Sequence, residues 1–414
     1  DLSGFTMENL VIDNNSGANP LNSYDDFNTS SSDWAARTIR GSISIFVGSK
    51  IRIRNCKFIN SVTIWTVMLC GYTTINDCEV RDCTFDNIGG GTINFDSSTL
   101  YVECDNTVLT GNIFTSTLGN QPGALGLRTA IEVHGKNHVV RNNIIYGFQN
   151  GINVGGSSAD GHDNFIVCNN TVSKAASGVV LWPNVPYSAR LYSMDKVTIF
   201  DNDILIDVDG WVSATGSYFN GITINQDSAS DAKIKWLDIG KNRISFQNFD
   251  NPSRPSSRDN YSTGIRYNRM VFSTQNNQTE KLHINHNQIT SSVAGGMYIY
   301  APLTDAEICE NTVTNGGQGN LSWFGFASGM LLFGDYTNLL AAGNSFIDNQ
   351  SSSTLAYGLL AGNNVFGYNI EAGNTISGSL YPLCQRNGGS GAWTSNPAGA
   401  SISDDDGGPD LNSL

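Results

Sequence analysis

The chain has 414 residues, with 37 Asp+Glu against 23 Lys+Arg, a formal net charge of −14, and 44 Gly and 48 Asn. Without a basic excess there are few counterions to release on binding, so nonspecific association with nucleic acid or an anionic membrane surface is disfavoured. A hydrophobic share of 39% with 10% aromatics is ample for a core, and no stretch approaches the roughly 18 apolar residues of a membrane span, so no membrane insertion is expected.

The chain opens at Asp1 without a charged n-region or an apolar h-region, and any targeting segment is expected to be absent or already removed. None of the eight Cys falls in a CxxC pair, and the early group Cys56, Cys70, Cys78, Cys83 and Cys104 reads as buried small hydrophobes. The five His are scattered without HExxH, and neither GxxxxGK[ST] nor GxSxG occurs. Zinc hydrolase, nucleotide and α/β-hydrolase chemistry have no support.

Along the chain, helical periodicity is nearly absent and two short patterns recur. The first is apolar-x-x-Asn-x-apolar, as in LTGNIF at Asn112, VRNNII at Asn143, VCNNTV at Asn170, IFDNDI at Asn202, IGKNRI at Asn242, INHNQI at Asn287, ICENTV at Asn311, AAGNSF at Asn344 and EAGNTI at Asn374. IRNCKF and VRDCTF place Cys56 and Cys83 in the same slot. The second is small-apolar-x-apolar-x, as in TLYVE from Thr99, AIEVH from Ala130, GINVG from Gly151, GITIN from Gly221 and GMYIY from Gly296.

One repeat thus reads as two short alternating strands separated by turns. A lone repeat of this kind cannot bury its apolar face, so successive repeats must stack. Asn suits a bend, because it tolerates left-handed backbone and its amide bonds neighbouring backbone; Asn above Asn also forms a ladder. The expected fold is all-β, a right-handed parallel β-helix forming a single solenoid of about 11 rungs with loop insertions. Residues 1–380 form the helix, with insertions at about 14–40, 207–218 and 246–262, and residues 381–414 read as a Gly/Ser/Asp-rich tail or linker.

The GIxV…NxI cadence resembles the pectate-lyase-like β-helix superfamily, and the long polar insertions resemble bacteriophage tailspikes and appendages that degrade surface polysaccharide. The resemblance spans nearly the whole chain and rests on cadence. It implies an extracellular polysaccharide partner, a virion tail location and a homotrimer. Such proteins usually begin with a helix that caps the first rung, whereas this chain opens inside a rung at FTMENLVID, which suggests an excised or processed segment.

Strand alternation assigns side chains to core or solvent. With Ile131 and Val133 inward, Glu132 and His134 point outward, and the same frame gives a stripe of Tyr101, Glu103, Asn153, Trp182, Thr223, Asn225, Arg266, Asn268, Tyr298 and Tyr300. Flat aromatics suit pyranose faces, while Asn, Arg and carboxylates bond hydroxyls; Tyr101, Asn153, Trp182, Asn225, Arg266, Tyr298 and Tyr300 are therefore the candidate substrate-binding residues. A subunit contact is the competing reading for the two late tyrosines.

Glycoside hydrolysis needs two carboxyl groups. Glu103 and Glu132 fall on adjacent rungs of one face, with an expected separation of about 5 Å from the strand spacing. Like charges that close raise one pKa, as a general acid requires. Arg128 and His134 are near enough to modulate the pair, Asp96 is a possible third member, and Asp207, Asp209 and Asp227 form a reserve site. A lyase would instead recruit Tyr101, His134 and Arg266, with Ca²⁺ to neutralise a uronic acid; the −14 charge ranks it below a hydrolase. A hydrolase requires no cofactor. A non-catalytic adhesin or receptor-binding fibre on the same face is the third reading.

Overall fold

A computed structural model of the chain describes residues 3–14, 42–61, 65–71, 75–88, 97–116, 128–155, 163–182, 193–211, 219–226, 233–249, 259, 261–269, 279–301, 303–319, 321, 327–333, 335–350, 357–361, 366–370, 373–379, 381–385, 390–393 and 402–403. Strands stack in parallel, coil on coil, into three long sheets of 13, 12 and 13 strands, and the fold is the expected parallel β-helix. One coil runs from Arg128–His134 in the third sheet through His138–Arg141 in the first and Ile144–Tyr146 in the second, and returns to the third at Asn150–Gly155.

The unit is therefore three strands, not the two expected from the sequence, and the rungs number more than eleven. Only two residues, Asn142 and Asn143, join Arg141 to Ile144. A bend that short leaves no break in the apolar pattern, so two strands read as one. Strands Tyr381–Gln385, Ser390–Trp393 and Ile402–Ser403 also join the sheets, so the coil runs on into the segment expected as a tail.

The Asn slot forms a continuous ladder. From Asn112 to Asn374 each side chain is buried, and Nδ2 donates to Oδ1 of the Asn in the next coil at 2.9–3.0 Å. The same amide reaches back to a carbonyl of the preceding coil, as from Asn143 to Leu109 O and from Asn170 to Val140 O. The left-handed residue is the one before: Asn142, Asn169, Asp201, Lys241, His286 and Glu310 have φ of 53–58°. Cys83 fills the slot with its N–H on Asn112 Oδ1 at 3.0 Å and its thiol on Ile53 O at 3.6 Å.

Inside, one side chain per coil stacks on the next. Phe58, Phe85 and Phe114 lie nearly parallel, with centroids 4.9 and 4.5 Å apart, and Ile145, Val172, Ile204, Ile244, Ile289, Val313 and Phe346 continue the row to the far end. The longest connections fall at the two edges of the third sheet. Asp13 to Ile43, Gln247 to Ile265, Thr314 to Ser328 and Thr115 to Arg128 enter it, and Arg269 to Lys281 and Trp182 to Ser193 leave it. Long connections beside a rigid sheet mark that sheet as the place to look for a working surface.

Candidate functional site

The outward row of the third sheet has the register expected from alternation. Met68, Tyr101, Glu132 and Asn153 lie strand over strand, with Cys70, Glu103, His134 and Gly155 in the neighbouring row. Further along, Thr223, Arg266 and Tyr298 continue the first row, and Asn225, Asn268 and Tyr300 the second.

Glu103 faces His134, and Glu132 faces Tyr101, so the two carboxylates are diagonal neighbours. With strands about 4.8 Å apart and two residues of rise, their Cα atoms are roughly 8 Å apart, not directly opposed at about 5 Å. Both are outward yet nearly buried, at 7% and 6% exposure. Each has a defined partner. Glu132 Oε1 accepts from His134 Nε2 at 2.9 Å, and its Oε2 bonds the Ser98 hydroxyl. Glu103 Oε2 accepts from the Cys70 thiol at 2.8 Å; burial first and the Glu103 charge second push that thiol well above its ordinary pKa.

Aromatic rings border this group. Trp65 meets Tyr101 at 5.5 Å and Tyr101 meets the His134 ring at 5.6 Å, both tilted. The His134 ring lies over Gly155: a Cβ there would come within 2.3 Å of Cε1 and 2.4 Å of Nδ1. Glycine leaves the space the imidazole occupies. Trp65, Cys70, Ser98 and Gly155 are not among the site residues expected from the sequence, and Cys70, expected as a buried small hydrophobe, is only partly buried. Trp65–Cys70 is a near-continuous apolar run, WTVMLC, covered on both faces, and it shows no alternation to reveal which side chains point out.

The remaining candidates divide. Asn153 Nδ2 donates to Thr129 Oγ1 at 3.0 Å one strand away, and Trp182 is open to solvent at 43%. Thr223 Oγ1 reaches Asn225 Oδ1 at 3.5 Å. Arg266 is nearly buried, its guanidinium 5.1 Å from the Tyr261 ring centre. Tyr298, expected as an exposed platform, is buried in a second apolar cluster with Ala294, Leu331, Phe333 and Leu360, and burial raises its phenol pKa. Tyr300 is half-buried on that cluster, 4.6 Å from the Phe333 ring.

Two of the reserve acids, Asp207 and Asp209, belong to a turn. Asp207 is nearly buried and accepts from Gly210 N and Asn248 Nδ2 at 3.1 and 2.9 Å, holding the short 3-10 turn Asp209–Trp211. Trp211, inside the second expected insertion, packs into the core and donates to Lys174 O at 3.0 Å. Phe246, at the start of the third insertion, is likewise core. Asp96, Asp227, residues 15–40 of the first insertion, 212–218 of the second, 250–258 and 260 of the third, and the side chain of Arg128 lie outside the described residues. Among the described residues no three His, Cys, Asp or Glu converge as metal ligands.

No family model matches the chain, and no curated protein does. Among solved structures, a mutant of the tailspike protein of E. coli bacteriophage HK620, in complex with pentasaccharide, superposes with a TM-score of 0.55 at 15% identity, over 81% of this chain and 56% of that one. The HK620 tailspike protein in complex with pentasaccharide gives 0.54 and 15%, over 80% and 54%. The chain thus matches just over half the length of these tailspikes, and what it shares with them is the parallel β-helix fold.

Proposed function

We propose that the outer face of the third sheet binds a bacterial surface polysaccharide and hydrolyses it, with Glu103 and Glu132 as the two carboxyl groups, in an extracellular appendage of the tailspike kind. The supporting observation is the group formed by Glu103, Glu132 and His134: two nearly buried carboxylates one strand apart, one of them bonded to an imidazole, beside Tyr101 and Trp65. A diagonal offset leaves room for a water between the carboxyls, the requirement for inversion at the anomeric carbon. The likeness to a tailspike solved with a pentasaccharide supports a glycan as the ligand. Homotrimerisation belongs to this reading. The exposed Ile113, Ile144, Tyr146 and Ile166 on neighbouring strands of the first two sheets offer an apolar contact, and the mass in solution, three times 44.6 kDa, checks it.

The decisive experiment incubates the protein with purified capsule or wall glycans and measures new reducing ends. Glu103→Gln and Glu132→Gln are each expected to lower kcat by about 100-fold or more while leaving binding in place, the magnitude typical of a lost acid–base group. Binding without new ends would replace hydrolysis with adhesion. Ultraviolet-absorbing unsaturated products would make the reaction an elimination.

A further inference from the structure

Three residues, Gly135, Lys136 and Asn137, carry the chain from His134 in the third sheet to His138 in the first. The His138 imidazole is wholly buried, 5.4 Å from the Phe165 ring. Its Nε2 lies 3.0 Å from the His134 carbonyl. A carbonyl only accepts, so Nε2 carries the proton and Nδ1 is a bare lone pair, which has no hydrogen-bond partner. Burial lowers the pKa of this ring to about 4, which keeps it neutral near pH 7.

The position is not one that demands histidine. In register, the following coils fill it with Phe165, Val197, Leu237, Leu282, Ala306 and Leu339, all apolar. An imidazole with an unmet nitrogen is a poorer filler for such a row than any of these. It occurs in the coil that carries Glu132 and His134, and its one hydrogen bond goes to His134. The same carbonyl accepts from Cys104 N–H at 3.2 Å. Gly135 completes the grip: with φ at +120°, it brings its Cα so near that a Cβ would sit 2.0 Å from Cys104 O and 2.9 Å from His138 Nε2.

We propose that His138 is a positioning residue that fixes the backbone of His134 so that its ring stays between Glu132 and Gly155. The role in turnover rests on the hydrolase reading above; the placement of His134 does not. Small displacements of a reacting group are costly, about 100-fold for roughly 1 Å in unfavourable cases.

The test uses three variants of the full chain. His138→Gln keeps an N–H near the position of Nε2, His138→Leu fills the volume without a donor, and His138→Asn carries an amide too short to reach. The five His of the chain give few signals after ¹⁵N-histidine labelling, and His134 is assigned by its own substitution. The proposal expects His138→Leu to shift the His134 ring resonances and to lower kcat at least 10-fold with KM within about twofold, and His138→Gln to restore both. Unchanged His134 resonances in a folded His138→Leu would overturn it. Should that variant not fold, His138→Asn is read against His138→Gln with the same two outcomes. A wild-type protein that cleaves no glycan ends the hydrolase reading alone, since the ring resonances still decide the positioning role.

Discussion

Two rows of stacked positions that include buried polar side chains run along this solenoid, and they differ in one respect. At the bend between the first and second sheets, nine coils from Asn112 to Asn374 repeat the same residue with the same bonds. On the outer face of the third sheet, successive strands present Tyr101, Glu132, Asn153, Val180, Thr223 and Arg266, a different residue on each strand. Both rows carry the desolvation cost of buried polar groups. The first offsets it identically in every coil, which is how a stacked fold stabilises itself. The second meets it locally, with Ser98 and His134 for Glu132 and Cys70 for Glu103. Repetition here marks support, and variation marks the face on which the proposed site lies.

Breaking the repeated row has the largest expected effect on stability. Asn170→Ala removes the donor to Val140 O and leaves Asn143 N–H and Nδ2 without their acceptor. A loss of about 3–5 kcal/mol in chemical denaturation is expected, from two or three buried groups left unsatisfied. A loss below about 1 kcal/mol would mean that the ladder is incidental.

The next effect is a pH dependence at a core position beside the varied row. His138 is neutral when folded, with its pKa depressed by burial to about 4, against about 6.5 in an unfolded chain. The unfolded state therefore binds the extra proton first. The stability tied to this ring is fully present above about pH 6.5, declines as pH falls, and is lost by about pH 4. The sum is about 3 kcal/mol. Denaturation at pH 7 and pH 4.5 should show a loss in the wild type that is smaller in His138→Gln. Equal pH dependence in the two proteins would contradict the burial argument.

Gly155→Ala sharpens the comparison within the varied row. The new Cβ occupies the place of the His134 ring, so the ring must leave Glu132. The expected cost is about 1–3 kcal/mol, that of a broken charge-assisted hydrogen bond, and cleavage, assayed by reducing ends, should fall about 10-fold. The smallest effect is in the other direction. Cys83→Asn extends the ladder by one coil, with Nδ2 placed for Asn112 Oδ1 and Ile53 O as its counterparts are. A gain of about 1 kcal/mol, or no change, is expected in the same denaturation assay.

Much of this was legible beforehand. The Asn slot gave the bend and its ladder, including the two Cys that stand in for Asn, and period-2 alternation gave the outward direction of the expected residues, though not Met68, Cys70, Gly155 and Val180 in the same rows. What escaped was anything that depends on where one strand sits along its neighbour. Glu103 and Glu132 read as opposed from their spacing to the inward residues, but the register sets Glu103 against His134. Tyr298 alternates outward as expected and is nonetheless covered, because alternation gives a direction and says nothing of what lies above it. Trp211 and Asp207 looked like loop residues and proved to be core and turn cap, since a connection can fold back against its own coil.

The sequence by itself determined the stacked coil, the bend and the face, because these follow from local backbone preference and from an apolar period that recurs in every repeat. Only the tertiary structure decided which side chains on that face meet. The contacts of Glu132 with Ser98 and His134, of Glu103 with Cys70, and of His138 with the His134 carbonyl depend on strand register and on the turn of each corner. Those are properties of neighbouring coils pressed together, and no single repeat contains them.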